Sequence, residues 1–300
     1  MAESSSTAPA VPETNDVAPP APSPSKPAAS ESSPCTGPCL SSALANTDYT
    51  VRRLKKLIST SSGQESVLSF TQYSARVLHH VLSSAPSTAL LARLRLLLGV
   101  KAAARSKKPP SDTPPLLLLY SLISETRMSL RLLGLIGLWT WGSDTFKSPP
   151  SDPVFRAVAF SQVLVNVAFQ ILENIAYLAS KGILNKRAVE KWCSLNKLWL
   201  WSTRAWLGHI LLEFVRLARA RQLAAKRSAA AGAGDKTLDK AALEAESRAW
   251  KKGLVKNAAW APLCLHWSLE NGLGLSSAMI GVFGVAANAW GIADQWKATA

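Results

Sequence analysis

The sequence predicts an all-α, membrane-associated protein, built as a bundle of long amphipathic helices with a C-terminal transmembrane helix. Apolar residues recur at helical spacing, and no stretch alternates as a half-buried strand does. The net charge is +15, and there are eleven tryptophans, which favour bilayer interfaces. Residues 271–293 carry no charge. As a helix they would extend about 34 Å, whereas the hydrocarbon core is about 30 Å thick.

The charge divides the chain into two predicted regions. Residues 1–48 are rich in Pro, Ser and Ala and carry five acidic residues against one lysine. Such a segment buries too little apolar surface to offset its ordering entropy, so we predict a disordered acidic tail. Residues 49–298 form the predicted membrane-associated helical domain. A basic, Trp-rich body beside an apolar segment indicates an anionic phospholipid membrane as partner, and we expect no nucleic acid.

No pattern typical of catalysis is visible. The four histidines are scattered, and Cys35 and Cys39 lack a second Cys or His pair at zinc spacing. No nucleophile–base arrangement or phosphate-binding loop is present either. We therefore expect no enzyme activity, no catalytic or metal-binding residues and no cofactor.

Two basic or amphipathic helices are predicted at about 64–82 and 88–106. The second combines an apolar stripe with many cations and no acid, which is typical of a helix in the headgroup plane; packing in a bundle with its cations in water is the alternative. The residues predicted to insert into the membrane are Val67, Phe70, Val77, Leu78, Val81, Leu82, Leu90, Leu94 and Leu97. The residues predicted to contact lipid headgroups are Arg93, Arg95, Lys101, Arg105, Lys107 and Lys108.

Residues 154–178 form a possible second span with an ordered polar stripe. Its members recur about one helical turn apart: Gln162, Asn166, Gln170, Glu173 and Asn174. In lipid, such a stripe must face other helices or water. Interhelical hydrogen bonding is the favoured interpretation, and the lining of an aqueous pore is the alternative.

The next predicted helix, 185–225, has tryptophans every seven residues, at Trp192, Trp199 and Trp206. Cations lie on its opposite face. The pattern suits either a helix half-sunk in a membrane surface or a bundle helix with an aromatic core. A linker is predicted at 226–236.

The span predicted at 271–293 also carries a small-residue face, formed by Ser277, Gly281 and Gly284. Small residues let helix backbones approach closely, so we predict that this face contacts another copy of the chain. The alternative for the stretch is a hydrophobic helix buried in a large soluble protein. One span or two are both compatible with the sequence.

Three stretches in this order resemble the peroxin-eleven family, in a divergent, fungal-like branch. The first, residues 72–76, reads QYSAR. The second, residues 173–178, reads ENIAYL and is followed by GIL at 182–184. The third is GLSS at 274–277, with Trp290 beyond it. The resemblance covers about residues 50–298.

This resemblance implies an integral protein of the peroxisomal membrane that promotes peroxisome elongation, fission and proliferation. Members insert an amphipathic helix, oligomerise, and recruit the dynamin-type fission machinery and its membrane receptor. A peroxisomal membrane-protein import receptor is a further implied partner. The alternative function, motivated by the polar stripe, is a pore-forming channel for small metabolites in the same membrane.

Overall fold

The computed structural model describes residues 40–84, 89, 113–231 and 240–300. All regular structure in these residues is helical, which confirms the all-α fold class. The helices, numbered within the described residues, are α1 Leu40–Ile58, α2 Ser61–Ser83, α3 Pro115–Arg131, α4 Gly134–Lys147, α5 Pro153–Ser180, α6 Lys186–Glu190, α7 Leu195–Ala231, α8 Lys240–Trp267 and α9 Ser277–Lys297.

The chain divides into two compact units, residues 1–46 and 47–300. In the first unit the described residues, from 40 onward, are already helical. This corrects the predicted end of the acidic tail at residue 48, because Leu40, Ala43, Leu44 and Ala45 are good helix formers. The rest of the predicted tail lies outside the described residues.

The helices of the second unit form a closed ring. Helix α5 packs along α7, α7 along α8, α8 along α9, α9 along α2, and α2 along α3. Helix α4 covers α5, and α3 contacts both α4 and α5, which closes the circle. The ring therefore encloses a central space, to which every large helix except α1 and α4 contributes side chains.

Contacts between neighbours fix the helix directions. Gln295 at the end of α9 bonds Ser62 at the start of α2, so these two helices are antiparallel. Asp294 of α9 pairs with Arg248 and Lys252 in the first half of α8, so α8 and α9 form an antiparallel hairpin. Helices α2 and α8 therefore run parallel to each other.

A tight corner joins α1 to α2. Thr60 caps α2, its Oγ1 accepting from the amide of Gly63. A Cβ added to Gly63 would fall 1.9 Å from the carbonyl oxygen of Leu57, so only glycine fits there. Near the same corner, Arg53 of α1 donates to the Trp296 carbonyl at 2.6 Å and lies over its indole ring. The corner and this clamp tie α1 to the end of α9.

The structure corrects the single helix predicted at 185–225. Asn185 caps the short helix α6, which ends at Glu190, and α7 begins only at Leu195. Trp192 lies in this break and is 93% exposed, so the regular tryptophan stripe is interrupted. Helix α7 then continues to Ala231, into the linker predicted at 226–236, because an alanine-rich segment supports a helix. Residues 232–239 lie outside the described residues.

The structure also corrects the predicted helix at 271–293. Gly272 and Gly274 have φ values of +63° and +71°, so the chain turns there. Helix α9 starts at Ser277, with Ser276 as its cap. Residues 277–293 extend only about 25 Å, less than a hydrocarbon core. Among the described residues, one helix, α5, is long and apolar enough to cross a membrane by length and composition.

Candidate functional site: an apolar outer surface around a polar cavity

Helix α2 turns its polar face inward and its apolar face outward. The polar face lines the central space, and its members are Ser62, Glu65, Ser66, Ser69, Gln72 and Tyr73. On the opposite side, the predicted membrane-inserting residues Leu78, Val81 and Leu82 are each 40–49% exposed. Val67, Phe70 and Val77 are half-buried. A helix of a soluble bundle has the reverse arrangement, with its apolar stripe on the core.

Helix α5 has the same inverted pattern. The polar side chains of Gln162, Gln170 and Glu173 are buried, whereas Leu164 is 70% exposed. Only 17% of the most apolar 18-residue window of this helix is buried. The core helix of a soluble protein would be mostly covered, so the outer face of α5 is suited to a hydrocarbon environment.

Helices α3 and α4 extend this outer apolar surface. Trp139 and Phe146 of α4 are 79% and 78% exposed. Further exposed large apolar residues of α3, α4 and the turn between them are Leu118, Leu122, Leu130, Leu133 and Ile136. So many exposed large apolar side chains are typical of a membrane or protein interaction surface.

Charged pairs mark both ends of α5. At its start, Asp152 caps the helix and pairs with Arg219 of α7 at 2.7 Å. The hydrogen bonds from Arg219 and from two backbone amides lower the pKa of Asp152. At the other end, Lys181 pairs with Glu125 of α3. The apolar helix is thus framed by polar groups, as expected where a span meets two interfaces.

The predicted polar stripe of α5 makes hydrogen bonds between helices. Gln162 donates to Glu213 at 2.6 Å, and Asn166 bonds His209 at 2.9 Å. Glu173 accepts two bonds from Arg131. Gln170 and Asn174 donate to the carbonyl oxygens of residues 131 and 132. Of the five stripe residues, Glu173 is the one that also lines the central space.

The central space is a polar cavity of about 910 Å³. Hydroxyl and amide groups from α2, α3, α7, α8 and α9 line it, and an aromatic cluster crosses it. In that cluster the ring centroids of Tyr73 and Trp260 lie 5.7 Å apart, and those of Trp206 and Trp260 lie 5.2 Å apart. Trp206 also stacks on Trp267. The cavity combines hydrogen-bonding groups with flat apolar walls, which is typical of a site for a small solute.

Ion pairs surround the cavity. Arg127 binds both Glu65 and Gln72. Two further pairs on the wall are Arg131–Glu173 and Arg216–Glu213. Each carboxylate on the cavity wall thus has an arginine partner. In the part of the chain that the structure describes, no three His, Cys, Asp or Glu side chains form a possible metal site.

Smaller cavities adjoin the central one at both ends. Trp199 lines the central cavity and two neighbours of about 850 Å³ and 230 Å³. Arg216 lines the central cavity and another neighbour of about 470 Å³. Trp199 and Arg216 are separated by about 25 Å along α7. This series of cavities therefore extends along the bundle over a distance close to the hydrocarbon thickness of a bilayer.

The predicted contact face of the last helix packs within the chain. Ser277 accepts a hydrogen bond from Arg76 at 2.8 Å. A Cβ on Gly281 would fall 2.8 Å from Val77, and one on Gly284 would fall 2.2 Å from the Tyr73 ring. A second copy could use this face only if α2 and α9 separated, so self-association through it stays a prediction.

Several predicted residues lie outside the described residues. They include the predicted helix at 88–106 apart from residue 89, its inserting residues Leu90, Leu94 and Leu97, and its headgroup cations Arg93, Arg95, Lys101, Arg105, Lys107 and Lys108.

The cavity was not predicted from the sequence. A signal was present, since Ser62, Ser66 and Ser69 recur at i, i+4 and i+7 and lie opposite the apolar stripe of α2. A hydroxyl stripe on a helix with an exposed apolar face indicates that the polar side is the packed one.

The sequence profile of the family described as peroxisomal biogenesis factor 11 (PEX11) matches residues 51–296. The chain is 31% identical over 177 residues to an uncharacterized protein of Schizosaccharomyces pombe, which covers 59% of this chain and 74% of that protein. No solved structure matches.

The match covers most of the chain and confirms the resemblance carried by the three sequence stretches. The family consists of peroxisome biogenesis factors, acts in proliferation and fission of peroxisomes at their membrane, and is not an enzyme family. The chain belongs to the peroxisomal biogenesis factor 11 family.

Proposed function

We propose that this protein is an integral protein that remodels the peroxisomal membrane and thereby promotes elongation, fission and proliferation of the organelle. The observation that supports it best is the inverted packing of α2, whose apolar residues lie outside while its polar residues line the cavity. A helix held in this way presents an apolar wedge to one leaflet. Many wedges in one leaflet enlarge its area relative to the other and favour curvature.

The proposed anchor is α5, with its ends at the two interfaces. It has 28 residues, or about 42 Å, so it can cross a core of about 30 Å with some tilt. Arg156 lies in its first turn and donates back to the carbonyl oxygens of Pro150 and Ser151, which keeps the cation near the interface. The polar stripe is satisfied by neighbouring helices, so it does not oppose insertion.

The proposed partners are an anionic phospholipid membrane, an import receptor, further copies of the chain and the fission machinery. The basic end of α7, with Arg221, Lys226 and Arg227 exposed, suits an anionic phospholipid surface or an import receptor for peroxisomal membrane proteins. Self-association would concentrate the wedges. Recruitment of the dynamin-type fission machinery and its membrane receptor would complete division.

Reconstitution of the full chain into anionic liposomes tests the wedge. Replacing Leu78, Val81 and Leu82 by serine removes apolar side chains that are already about half exposed. Transfer of the exposed parts of these three side chains into the membrane is worth about 3 kcal/mol in total, or roughly a hundredfold in the membrane–water partition coefficient. We expect tubules with the wild type in electron micrographs and spherical liposomes with the triple variant.

The matched control is a triple serine variant on the same helix, α2. Gln64, Thr71 and His80 are exposed polar residues, and their replacement by serine leaves the apolar face intact. Tubulation should be unchanged. Equal tubulation by the Leu78, Val81 and Leu82 variant would contradict the proposed role of this face.

A second candidate function, a channel for small metabolites, is supported by the series of cavities along α7. Trp199 lies where three of them meet. In planar bilayers, Trp199→Ala should raise the conductance, because it enlarges that junction. Trp201→Ala is the control, since Trp201 is exposed and lines none of these cavities. A wild-type protein without conductance would count against a channel and leave the remodelling proposal unaffected.

A further inference from the structure

Five polar side chains from five helices lie at one level of the central cavity. The Tyr73 and Trp260 rings are in contact, and α2 and α8 are parallel, so Ser69 and Lys256, each one turn earlier, lie at the same height. Helices α3, α7 and α9 run antiparallel to their neighbours α2 and α8, and the same reasoning places Ser124, His209 and Asn288 at this height. The set, which we name the polar belt, is Ser69, Ser124, His209, Lys256 and Asn288, and all five line the cavity.

Ser69 is a buried hydroxyl without a partner. It is 1% exposed, and its Oγ has no hydrogen-bond partner among the described residues. A serine inside a helix can bond the carbonyl one turn back, as Ser83 does with His79. A buried polar atom that bonds neither backbone nor side chain costs free energy, so this hydroxyl is suited to a bound group.

Lys256 is a cation without an acidic partner. The other cations on the cavity wall are all paired, Arg127, Arg131, Arg216 and Lys252 with a carboxylate each. Lys256 has no ion pair within the ranges that the structure describes; it is solvent-exposed, and it lines the cavity next to the buried residues Asn257 and Trp260. The carboxylates are engaged by arginines or Lys252, so the belt carries an excess positive charge.

We propose that the polar belt binds a phosphate group. Lys256 supplies charge, and the Ser69 hydroxyl supplies a hydrogen bond from α2. Asn288 supplies, from α9, the amide hydrogen that remains after its Nδ2 donates to the carbonyl oxygen of Gly284. Donors that converge from three helices suit a tetrahedral oxyanion, whereas a carboxylate accepts mainly in one plane. The aromatic cluster one turn away offers a wall for the remainder of the ligand. Phosphate borne by a lipid headgroup or by a soluble molecule has the same chemistry at the belt.

The site is independent of remodelling and of conductance, because a chain that does neither could still bind phosphate. The test uses the full chain in detergent, in phosphate-free buffer, with calorimetric titration of two probes. Inorganic phosphate represents a soluble source. Dihexanoyl phosphatidic acid represents a lipid headgroup, and dihexanoyl phosphatidylcholine serves as the zwitterionic comparison.

Three variants report on the belt. Lys256→Gln should weaken binding at least tenfold. Ser69→Ala should weaken it several-fold while leaving the melting temperature without ligand equal to or above that of the wild type, because it removes an unsatisfied polar atom. Lys251→Gln is the matched control, because Lys251 is exposed on α8 outside the cavity. Its replacement removes the same positive charge from the same helix.

Saturable binding of either probe with this order of effects supports the site, and the probe that binds identifies the source. Two results would overturn it. One is a wild-type protein that binds neither probe saturably. The other is an equal loss of affinity in Lys256→Gln and Lys251→Gln, which would show long-range attraction only.

Discussion

Gly284 of α9 lies directly against the aromatic ring of Tyr73 of α2. A Cβ at position 284 would stand 2.2 Å from two ring atoms. Tyr73 cannot move aside easily, because its ring also contacts Tyr120 and Trp260. The close approach of these two helices therefore depends on the missing side chain at residue 284.

Gly284→Ala should destabilise the bundle by about 1–3 kcal/mol, the usual cost of overpacking a core. The measurement is thermal unfolding of the detergent-solubilised protein, followed by near-ultraviolet circular dichroism. Gly291→Ala on the same helix is the control, because a Cβ there meets nothing within 4 Å. It should be neutral or stabilising, since alanine is the better helix former. An unchanged melting temperature in Gly284→Ala would contradict the packing.

Gln162→Leu should destabilise the helix bundle, because Gln162 forms a hydrogen bond between helices and does not line the central cavity. Gln162 is buried and donates to the Glu213 carboxylate, and hydrogen bonds to charged groups contribute about 1.5–3 kcal/mol. The melting temperature should fall in this variant. Leu164→Ala, on the exposed side of the same helix, should have little effect in detergent. Equal stability of the two variants would show that the interhelical bond contributes nothing.

Leu164→Arg should prevent stable integration of α5. The residue lies near the middle of the helix, and a cation at the centre of a span costs about 3 kcal/mol, or more than a hundredfold in insertion. After alkaline carbonate extraction, the wild type should stay with the membrane pellet, and Leu164→Arg should appear in the supernatant. Thr71→Arg, an exposed polar position on α2, controls for added charge. Retention of both variants in the pellet would argue against α5 as the anchor.

The pair of Asp294 with Arg248 and Lys252 should make stability depend on acid pH. Hydrogen bonds from both cations lower the pKa of Asp294 to about 2. A carboxyl whose pKa is lowered in the folded state stabilises above its unfolded pKa of about 3.9, and this contribution is lost as the pH falls towards 2. Asp294→Asn should therefore lower the melting temperature at pH 7, and the difference should shrink as the pH falls and vanish below pH 2.

Glu244→Gln controls for this titration, because Glu244 is an exposed acid at the start of α8. Its melting temperature should follow the wild type throughout the pH range. A difference between Asp294→Asn and the wild type that did not shrink between pH 7 and pH 2 would contradict an ionic origin.

The helical class and the polar stripe of α5 could be predicted because both are periodic patterns of one helix. The apolar stripe of α2 was equally visible, but periodicity does not say whether such a face packs inward or points outward. That depends on what the neighbouring helices offer, and Tyr120, Arg127 and Trp260 offer mostly polar and aromatic partners. The start of α9 was predicted six residues too early, because composition alone does not reveal the left-handed conformations of Gly272 and Gly274.

The closed ring has a consequence for biosynthesis. Helix α2 packs against α9, and Arg76 bonds Ser277, 201 residues later in the chain. Contacts between such distant segments form late in folding, because the entropy cost of closing the long loop between them must be offset first. Helix α9 completes the wall around the cavity, so the bundle closes only after α9 has left the ribosome. Until then, the polar side chains of the earlier helices, such as the serines of α2 and the glutamines of α5, need water or a chaperone to satisfy their hydrogen bonds.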